Sequence, residues 1–184
     1  MIKTERLTLR GWREEDASPF LAMGRDPRVM AYFPALLLPN EARETVQRQQ
    51  LLLKRDGTCF WVVERVRDRA FLGFCGIKPG PEGTPIANQA EIGWRLAHNH
   101  WGQGYAAEAA RASLAWMWAT TPVPRVCSIT VPGNTRSRAL MERIGMERVE
   151  GGDFDHPALA PGHPLRRHVL YGIDRPSGEP VPSA

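Results

Sequence analysis

The stretch Trp101-Gly102-Gln103-Gly104-Tyr105-Ala106-Ala107-Glu108 constrains this chain more than any other, because it joins a predicted strand, Gln89 to Leu96, to a helix predicted from about Gly104. Small residues in a strand-to-helix turn leave backbone N–H groups uncovered at the helix N-terminus. There the unsatisfied donors and the helix dipole together favour an anion such as phosphate. The run Gly102-x-Gly104-x-x-Ala107 formally fits the dinucleotide fingerprint, which needs an acidic residue roughly 20 positions later to hold a ribose. Nothing acidic lies between Glu108 and Glu142. A nucleoside-triphosphate loop is excluded because no Gly-Lys-Ser/Thr follows. A glycine-rich turn without function is the remaining alternative.

A second cluster, Val131-Pro132-Gly133-Asn134-Thr135-Arg136-Ser137-Arg138-Ala139-Leu140-Met141-Glu142-Arg143-Ile144-Gly145-Met146, reads as a strand end, a capped helix and a glycine stop. Taken together, the two clusters resemble the GNAT superfamily of acetyl-CoA-dependent N-acetyltransferases, and within it the ribosomal-protein alanine acetyltransferase-like branch. In that pattern the pyrophosphate loop reads Gln/Arg-x-x-Gly-x-Gly/Ala, and a later helix opens with Asn-x-x-Ser and ends near Gly-Phe or Gly-Met. The resemblance covers about residues 3 to 174.

Length and composition set the frame. A chain of 184 residues can bury one sizeable core, so the expectation is a single domain over residues 1–174 followed by a flexible tail, 175–184. No apolar run approaches the roughly 18 residues that span a bilayer, and the N-terminus lacks an apolar signal core, which points to a cytoplasmic protein without a membrane partner. Cys59, Cys75 and Cys127 sit in apolar strand-like runs with no C-x-x-C pair, and so read as buried, reduced thiols. A formal charge of +4 invites a nucleic-acid reading, but the arginines are scattered rather than gathered with stacking aromatics, so no nucleic-acid partner is expected.

Hydrophobic periodicity orders the elements. Leu7 to Trp12 alternates as a first strand; Glu14-Glu15-Asp16 opens a helix to about Met23; and Pro39-Asn40-Glu41 starts a longer helix running to Arg55. Cys59 to Val66 and Ala70 to Ile77 form a hairpin about Arg67-Asp68-Arg69. After a proline-rich loop come the strand Gln89 to Leu96 and a helix to Ala119, with Ala106, Ala110, Leu114 and Met117 on one face and Trp116 and Trp118 read as packing. The strand Arg125 to Val131, the Asn134 helix, a short strand after Gly145 and a last strand Arg167 to Ile173 complete an α/β mixed sheet of about seven strands with about four helices. This order matches the GNAT fold. The resemblance implies that two neighbouring parallel strands splay apart to admit the cofactor, and that backbone groups of Arg95, Leu96 and Ala97 pair with its pantetheine arm.

Amide formation from acetyl-CoA needs an unprotonated amine, yet free amines have a pKa of about 8 for an α-amino group and about 10.4 for lysine. Glu91, among Ala90, Ile92 and Gly93, is the candidate base, where partial desolvation would raise its pKa. The alternative is a carboxylate on the solvated face of an alternating strand. Many members of the resembling family place a proton-donating Tyr on the helix after the Asn, a position that falls here at Met141. Ser137 is the nearest hydroxyl, and the resembling branch is thought to use such a serine; it reads either as that donor or as a cofactor contact. Asn134 reads as helix cap, pantetheine contact or both. Trp101 stands where the family has Gln or Arg, which removes one side-chain donor but leaves the backbone donors of Gly102, Gln103, Gly104, Tyr105 and Ala106.

The acceptor is the least constrained part. Asp155, His156, His163 and His168 match no compact ligand spacing, so no metal is expected. A site that collects cationic amines would hold carboxylates near its mouth, and Asp153 and Asp155 are the candidates. The expected activity is direct acetyl transfer from acetyl-CoA to a primary amine, either a small molecule or a protein N-terminus, by a monomer or homodimer. Two rivals remain: an acyl-CoA-binding sensor without turnover, suggested by the missing tyrosine and Trp101, and a nicotinamide-dependent oxidoreductase, disfavoured by the missing acidic residue.

Overall fold

The computed structural model describes residues 1–178. In chain order the elements are β1 (Ile2–Lys3), β2 (Leu7–Arg10), a 3-10 turn at Glu14–Asp16 leading into α1 (Ala17–Gly24), α2 (Pro39–Asp56), β3 (Phe60–Arg65), β4 (Phe71–Pro79), β5 (Ala90–Leu96), α3 (Tyr105–Thr120), β6 (Arg125–Thr130), α4 (Thr135–Arg143), β7 (Glu147–Arg148), β8 (Phe154–Asp155) and β9 (Arg167–Asp174). The strands form one mixed sheet in the order β1-β2-β3-β4-β5-β6-β9-β7, with β8 also on β9. The α/β expectation holds, but the sheet has nine strands rather than about seven. The additions are β1 and β8, each two residues long and so too short to display the period of two that marks a strand in sequence. The tail expected over 175–184 falls largely outside the described residues.

The chain divides into two compact units, Met1–Lys78 with Gly93–Ser113, and Pro79–Ile92 with Leu114 onward. In the first unit, β2 pairs antiparallel with β3 from Leu7↔Arg65 to Arg10↔Val62, and Leu7 and Leu9 are fully buried. Arg10, at the end of β2, is buried as well. Its guanidinium makes a fork to Asp16 (Nη1–Oδ2 2.8 Å, Nη2–Oδ1 2.9 Å) while Nε donates to Glu64 Oε2 at 2.8 Å. The hydrogen bonds that Arg10 donates to Asp16 chiefly, reinforced by the one to Glu64, outweigh burial and raise the Arg10 pKa. A bulge lies between Val63 and Glu64 of β3, opposite Gly73 of β4. Gly73 has φ 138°, and a Cβ there would lie 2.1 Å from the Arg95 carbonyl oxygen, so no other residue lets β4 approach β5 this closely.

The long helix α2 begins as the Pro39-Asn40-Glu41 pattern predicts. Pro39 takes the first helical position, and Glu41 reaches back to accept the Leu38 N–H at 2.8 Å. The turn around Arg67-Asp68-Arg69 closes the β3–β4 hairpin as expected, with Arg69 in the left-handed region at φ 57°.

The second unit is built around β6, which pairs antiparallel with β9 from Arg125↔Asp174 to Thr130↔Val169 and parallel with β5 at Ala90↔Val126 and Glu91↔Cys127. Beyond that register, the Ser128 hydroxyl donates to the Ile92 carbonyl at 2.9 Å. Tyr171 of β9 is buried and ties down α4: its hydroxyl donates to Glu142 Oε1 at 2.9 Å and accepts from Arg138 Nε at 3.2 Å. Cys59, Cys75 and Cys127 are free and buried, as the sequence implies, and burial pushes the Cys59 and Cys75 thiols up to about 12. No helix among the described residues is long and apolar enough to cross a membrane.

Removing one partner of a buried ion pair strands the other, and the loss is largest where no second partner exists. Asp16→Ala should therefore destabilise the protein by about 3 kcal/mol, the low end of that range because Glu64 still holds Arg10. Urea denaturation of the variant against the parent checks this; an unchanged midpoint would show that the fork contributes nothing net.

Candidate active site

In the first unit, β5 ends at Leu96, a 3-10 turn follows at His98–His100, and Trp101–Gly104 turns the chain into α3 at Tyr105. Gly102 and Gly104 both lie in the left-handed region, at φ 74° and 80°. At Gly102 nothing lies within 4 Å of the position a Cβ would take, and at Gly104 only an Arg6 nitrogen does, at 3.5 Å. The loop surface is therefore bare backbone. Glu108 N–H closes onto the Gly104 carbonyl at 3.1 Å as an intrahelical bond, and N–H groups earlier in a helix have no intrahelical acceptor. Gly102, Gln103, Gly104, Tyr105 and Ala106 thus lie at the open N-terminal end of α3, where backbone donors and the helix dipole favour an anion.

Trp101 does not face outward as a substitute donor. Its indole N–H donates to the Leu96 carbonyl at 2.8 Å, folding the ring back along β5. That carbonyl keeps one lone pair for another partner. Ala97 is committed at both backbone groups, its N–H to the Leu72 carbonyl and its carbonyl to the His100 N–H, each at 2.9 Å. Its carbonyl's second lone pair is what it can offer a pantetheine amide.

The sequence reading missed the partners of Glu108. This carboxylate sits in the first turn of α3, where it shares the favourable end of the helix dipole with any bound anion. Thr4 Oγ1 donates to its Oε1 at 2.6 Å, the Arg6 N–H does so at 3.2 Å, and the Arg6 guanidinium pairs with Oε2 at 2.6 and 2.7 Å. Arg6 Nη1 also donates to the Gln103 carbonyl at 3.1 Å, and its guanidinium lies 4.6 Å from the Tyr105 ring centre. Glu108 is thus neutralised, and the loop is pinned by a residue nearly a hundred positions away. That separation is why no local motif reveals it.

The second unit holds the remaining candidates. Glu91 is buried on β5. Asn134 caps α4, its Oδ1 accepting the Ser137 N–H at 3.3 Å, while its Nδ2 donates to Thr130 Oγ1 at 3.1 Å. The cap reading of Asn134 is therefore realised. Ser137 is half-buried, and its hydroxyl makes no hydrogen bond among the described residues. Met141, at the position where the resembling family carries a tyrosine, is 1% exposed and packs into the core. Asp153 and Asp155, expected to gather cations, have arginine partners: Asp153 accepts from Arg148 at 2.6 Å, and Asp155 lies 3.4 Å from Arg166 and 3.5 Å from Arg167. Their charge is locally balanced. The His156 and His168 rings meet at a tilt of 48° with centres 4.9 Å apart, beside Phe154.

Burial alone would raise the Glu108 pKa, but the hydrogen bonds from Thr4 and Arg6 outweigh it, and the carboxyl is held below its ordinary value. Folded Glu108 thus binds its proton more weakly than the unfolded chain does. Its stabilisation is full above the ordinary glutamate value of about 4.3 and is lost as pH falls through the lowered folded value. Glu108→Gln should reduce stability at neutral pH by on the order of 1 kcal/mol, and the gap from the parent should close on acidification. Urea midpoints of both proteins at neutral pH and near pH 3.5 measure the gap directly; a gap that widens in acid would reverse the assignment.

The family model for an acetyltransferase (GNAT) domain matches residues 6–147. Among curated relatives, the uncharacterized protein YkkB of Bacillus subtilis is 38% identical over 148 residues, covering 79% of this chain and 84% of YkkB. The crystal structure of a GNAT-family acetyltransferase from Bacillus anthracis superposes with a TM-score of 0.76 at 26% identity, over 95% of this chain and 98% of that one. The ribosomal L7/L12 α-N-protein acetyltransferase RimL, solved with coenzyme A, shares the fold at a TM-score of 0.74 and 16% identity, over 93% and 95% of the two chains. With the glycine loop, the capped Asn134 helix and these matches together, the chain belongs to the GNAT family of acetyl-CoA-dependent N-acetyltransferases.

Proposed function

We propose that this protein transfers acetyl from acetyl-CoA directly to a primary amine, a small molecule or a protein N-terminus, with both substrates bound at once. The observation that carries the reading is the bare backbone of Gly102 and Gly104 at the start of α3, inside the matched GNAT domain. The loop lies in the first unit, and Glu91, Asn134 and Ser137 lie in the second.

Acetyl-CoA contributes the thioester whose C–S bond breaks as the C–N bond forms. In the proposed chemistry Glu91 takes the proton that the acceptor ammonium must lose before its neutral amine attacks the thioester carbonyl. Its burial on β5 supports that role, since a general base acts best shielded from competing water. The group that departs is a thiolate, a far weaker base than an alkoxide or an amide anion, and needs only modest protonation help. Ser137, whose hydroxyl has no internal partner, is the group assigned to that step. With Met141 sealed in the core, no other residue at the family's donor position can act. The same fact favours a second reading, an acyl-CoA-binding regulator that does not turn over; release of free coenzyme A with any amine eliminates it.

Gly104→Glu places a side chain on a left-handed backbone and a negative charge against the phosphates, so acetyl-CoA affinity should fall tenfold or more. Calorimetry of a folded variant with unaltered affinity would show that the loop does not seat the pyrophosphate. Glu91→Gln should lower turnover near neutral pH by roughly 10²- to 10⁴-fold, with a smaller loss at high pH where the amine deprotonates unaided. A pH–rate profile indistinguishable from the parent's would discard Glu91 as the base.

A further inference from the structure

The first unit contains a cavity of about 490 Å³, within the size range of small-ligand sites. Trp12, Phe20, Phe60 and Phe74 contribute its aromatic wall, with Phe60 and Phe74 stacked 5.4 Å apart. The segment before α2 contributes an apolar rim, where Phe33 and Leu36 are 39% and 43% exposed.

One lining residue does not belong in such a wall. The Arg95 guanidinium lies 3.8 Å from the Phe33 ring centre and 5.4 Å from that of Phe74. Its Nη1 donates only to the Met30 sulfur, a weak acceptor, at 3.4 Å. Its Nε is buried with no hydrogen-bond partner, and among the described residues no carboxylate pairs with it. Burial pushes its pKa down to about 10, which still leaves it a cation at neutral pH. Arg48 and Lys78 also line the cavity, against Glu41 and Glu44, and Glu41 is engaged with the Leu38 N–H. A desolvated cation with a missing counter-ion, in a cavity whose charges sum to positive, attracts an anion and repels polycations.

We propose that this cavity is the acceptor pocket, and that it takes a primary amine which also carries a carboxylate, with Arg95 as the counter-ion of that carboxylate. The inference rests on the acetyl-transfer reading above and gives the acceptor its class: apolar or aromatic amino acids and close analogues, not polyamines. The aromatic wall receives the side chain, and the free N–H groups of the guanidinium receive the carboxylate as charge-assisted hydrogen bonds.

The test compares amines that differ by the carboxylate, phenylalanine against phenethylamine and leucine against isopentylamine, with rates expressed per free amine, at saturating acetyl-CoA with the full-length protein. The carboxylate-bearing member should be favoured in kcat/KM by roughly 10- to 100-fold, mainly through KM. Arg95→Met should collapse that ratio towards one, and Arg95→Lys should retain part of it, because the charge remains without the planar fork. A guanidinium that serves only to stack between Phe33 and Phe74 would leave the ratio near one in the parent and unmoved by either substitution. Parent protein that acetylates both members equally, or an Arg95→Met variant that keeps the preference, overturns the proposal. If none of these four amines is acetylated while another amine or a protein N-terminus releases coenzyme A, the pocket assignment fails and the transfer reading stands. If no amine of any class releases coenzyme A, the transfer reading fails, and calorimetric titration of the parent with phenylalanine and with phenethylamine decides the pocket, equal binding of the two refuting it.

Discussion

The buried fork from Arg10 to Asp16, with Glu64 on its third edge, is the contact on which the first unit depends. It joins the end of β2 to the turn that starts α1 and to Glu64, near the end of β3. Trp12 follows Arg10 by two residues, Phe20 lies one helical turn beyond Asp16, and Trp12 and Phe20 meet edge-to-face at 5.2 Å. Two glutamines of α2 extend the same arrangement: Gln49 accepts the Phe60 N–H at 2.9 Å, and Gln50 donates to the Trp12 carbonyl at 3.1 Å. An ion pair thus sets the positions of the aromatic rings, and buried amides hold them there.

Three arginines of this unit show how differently one side chain can be treated. Arg10 is buried and fully compensated. Arg6 is 44% exposed and compensated by Glu108 in the first turn of α3. Arg95 is enclosed and uncompensated except by ring faces, which offset only part of the desolvation of a guanidinium. A fold that supplies carboxylates for the first two and none for the third has the chemistry of a site at the third.

Much of this was legible in the sequence wherever information is local. The glycine loop, the Asn134 cap, the Pro39 helix start and the Arg67–Arg69 turn all declare themselves through residues a few positions apart, whose backbone requirements are fixed by their own chemistry. The glycine at 73 has no such signature, because its need arises from the Arg95 carbonyl on a neighbouring strand. Thr4 and Arg6 could not be assigned to Glu108 for the same reason. Arg95 did carry a signal, a lone cation between Trp94 and Leu96 in an apolar strand, yet the sequence alone drew attention to its backbone. Asp153 and Asp155 illustrate the converse: they were visible as carboxylates, while their arginine partners at 148, 166 and 167 became neighbours only in the folded chain.

The three cysteines have a practical consequence. Each is at most 2% exposed, and burial holds the Cys59 and Cys75 thiols near 12 and raises Cys127 as well. Since the thiolate is the reactive form, the folded protein is silent towards thiol-directed dyes at neutral pH. Coenzyme A carries an exposed thiol and reacts readily under the same conditions. A disulfide-exchange dye in the cuvette therefore reads product directly against a protein background close to zero. Any slow additional colour from the protein alone marks the moments when its sheet opens far enough to let the dye reach a buried sulfur.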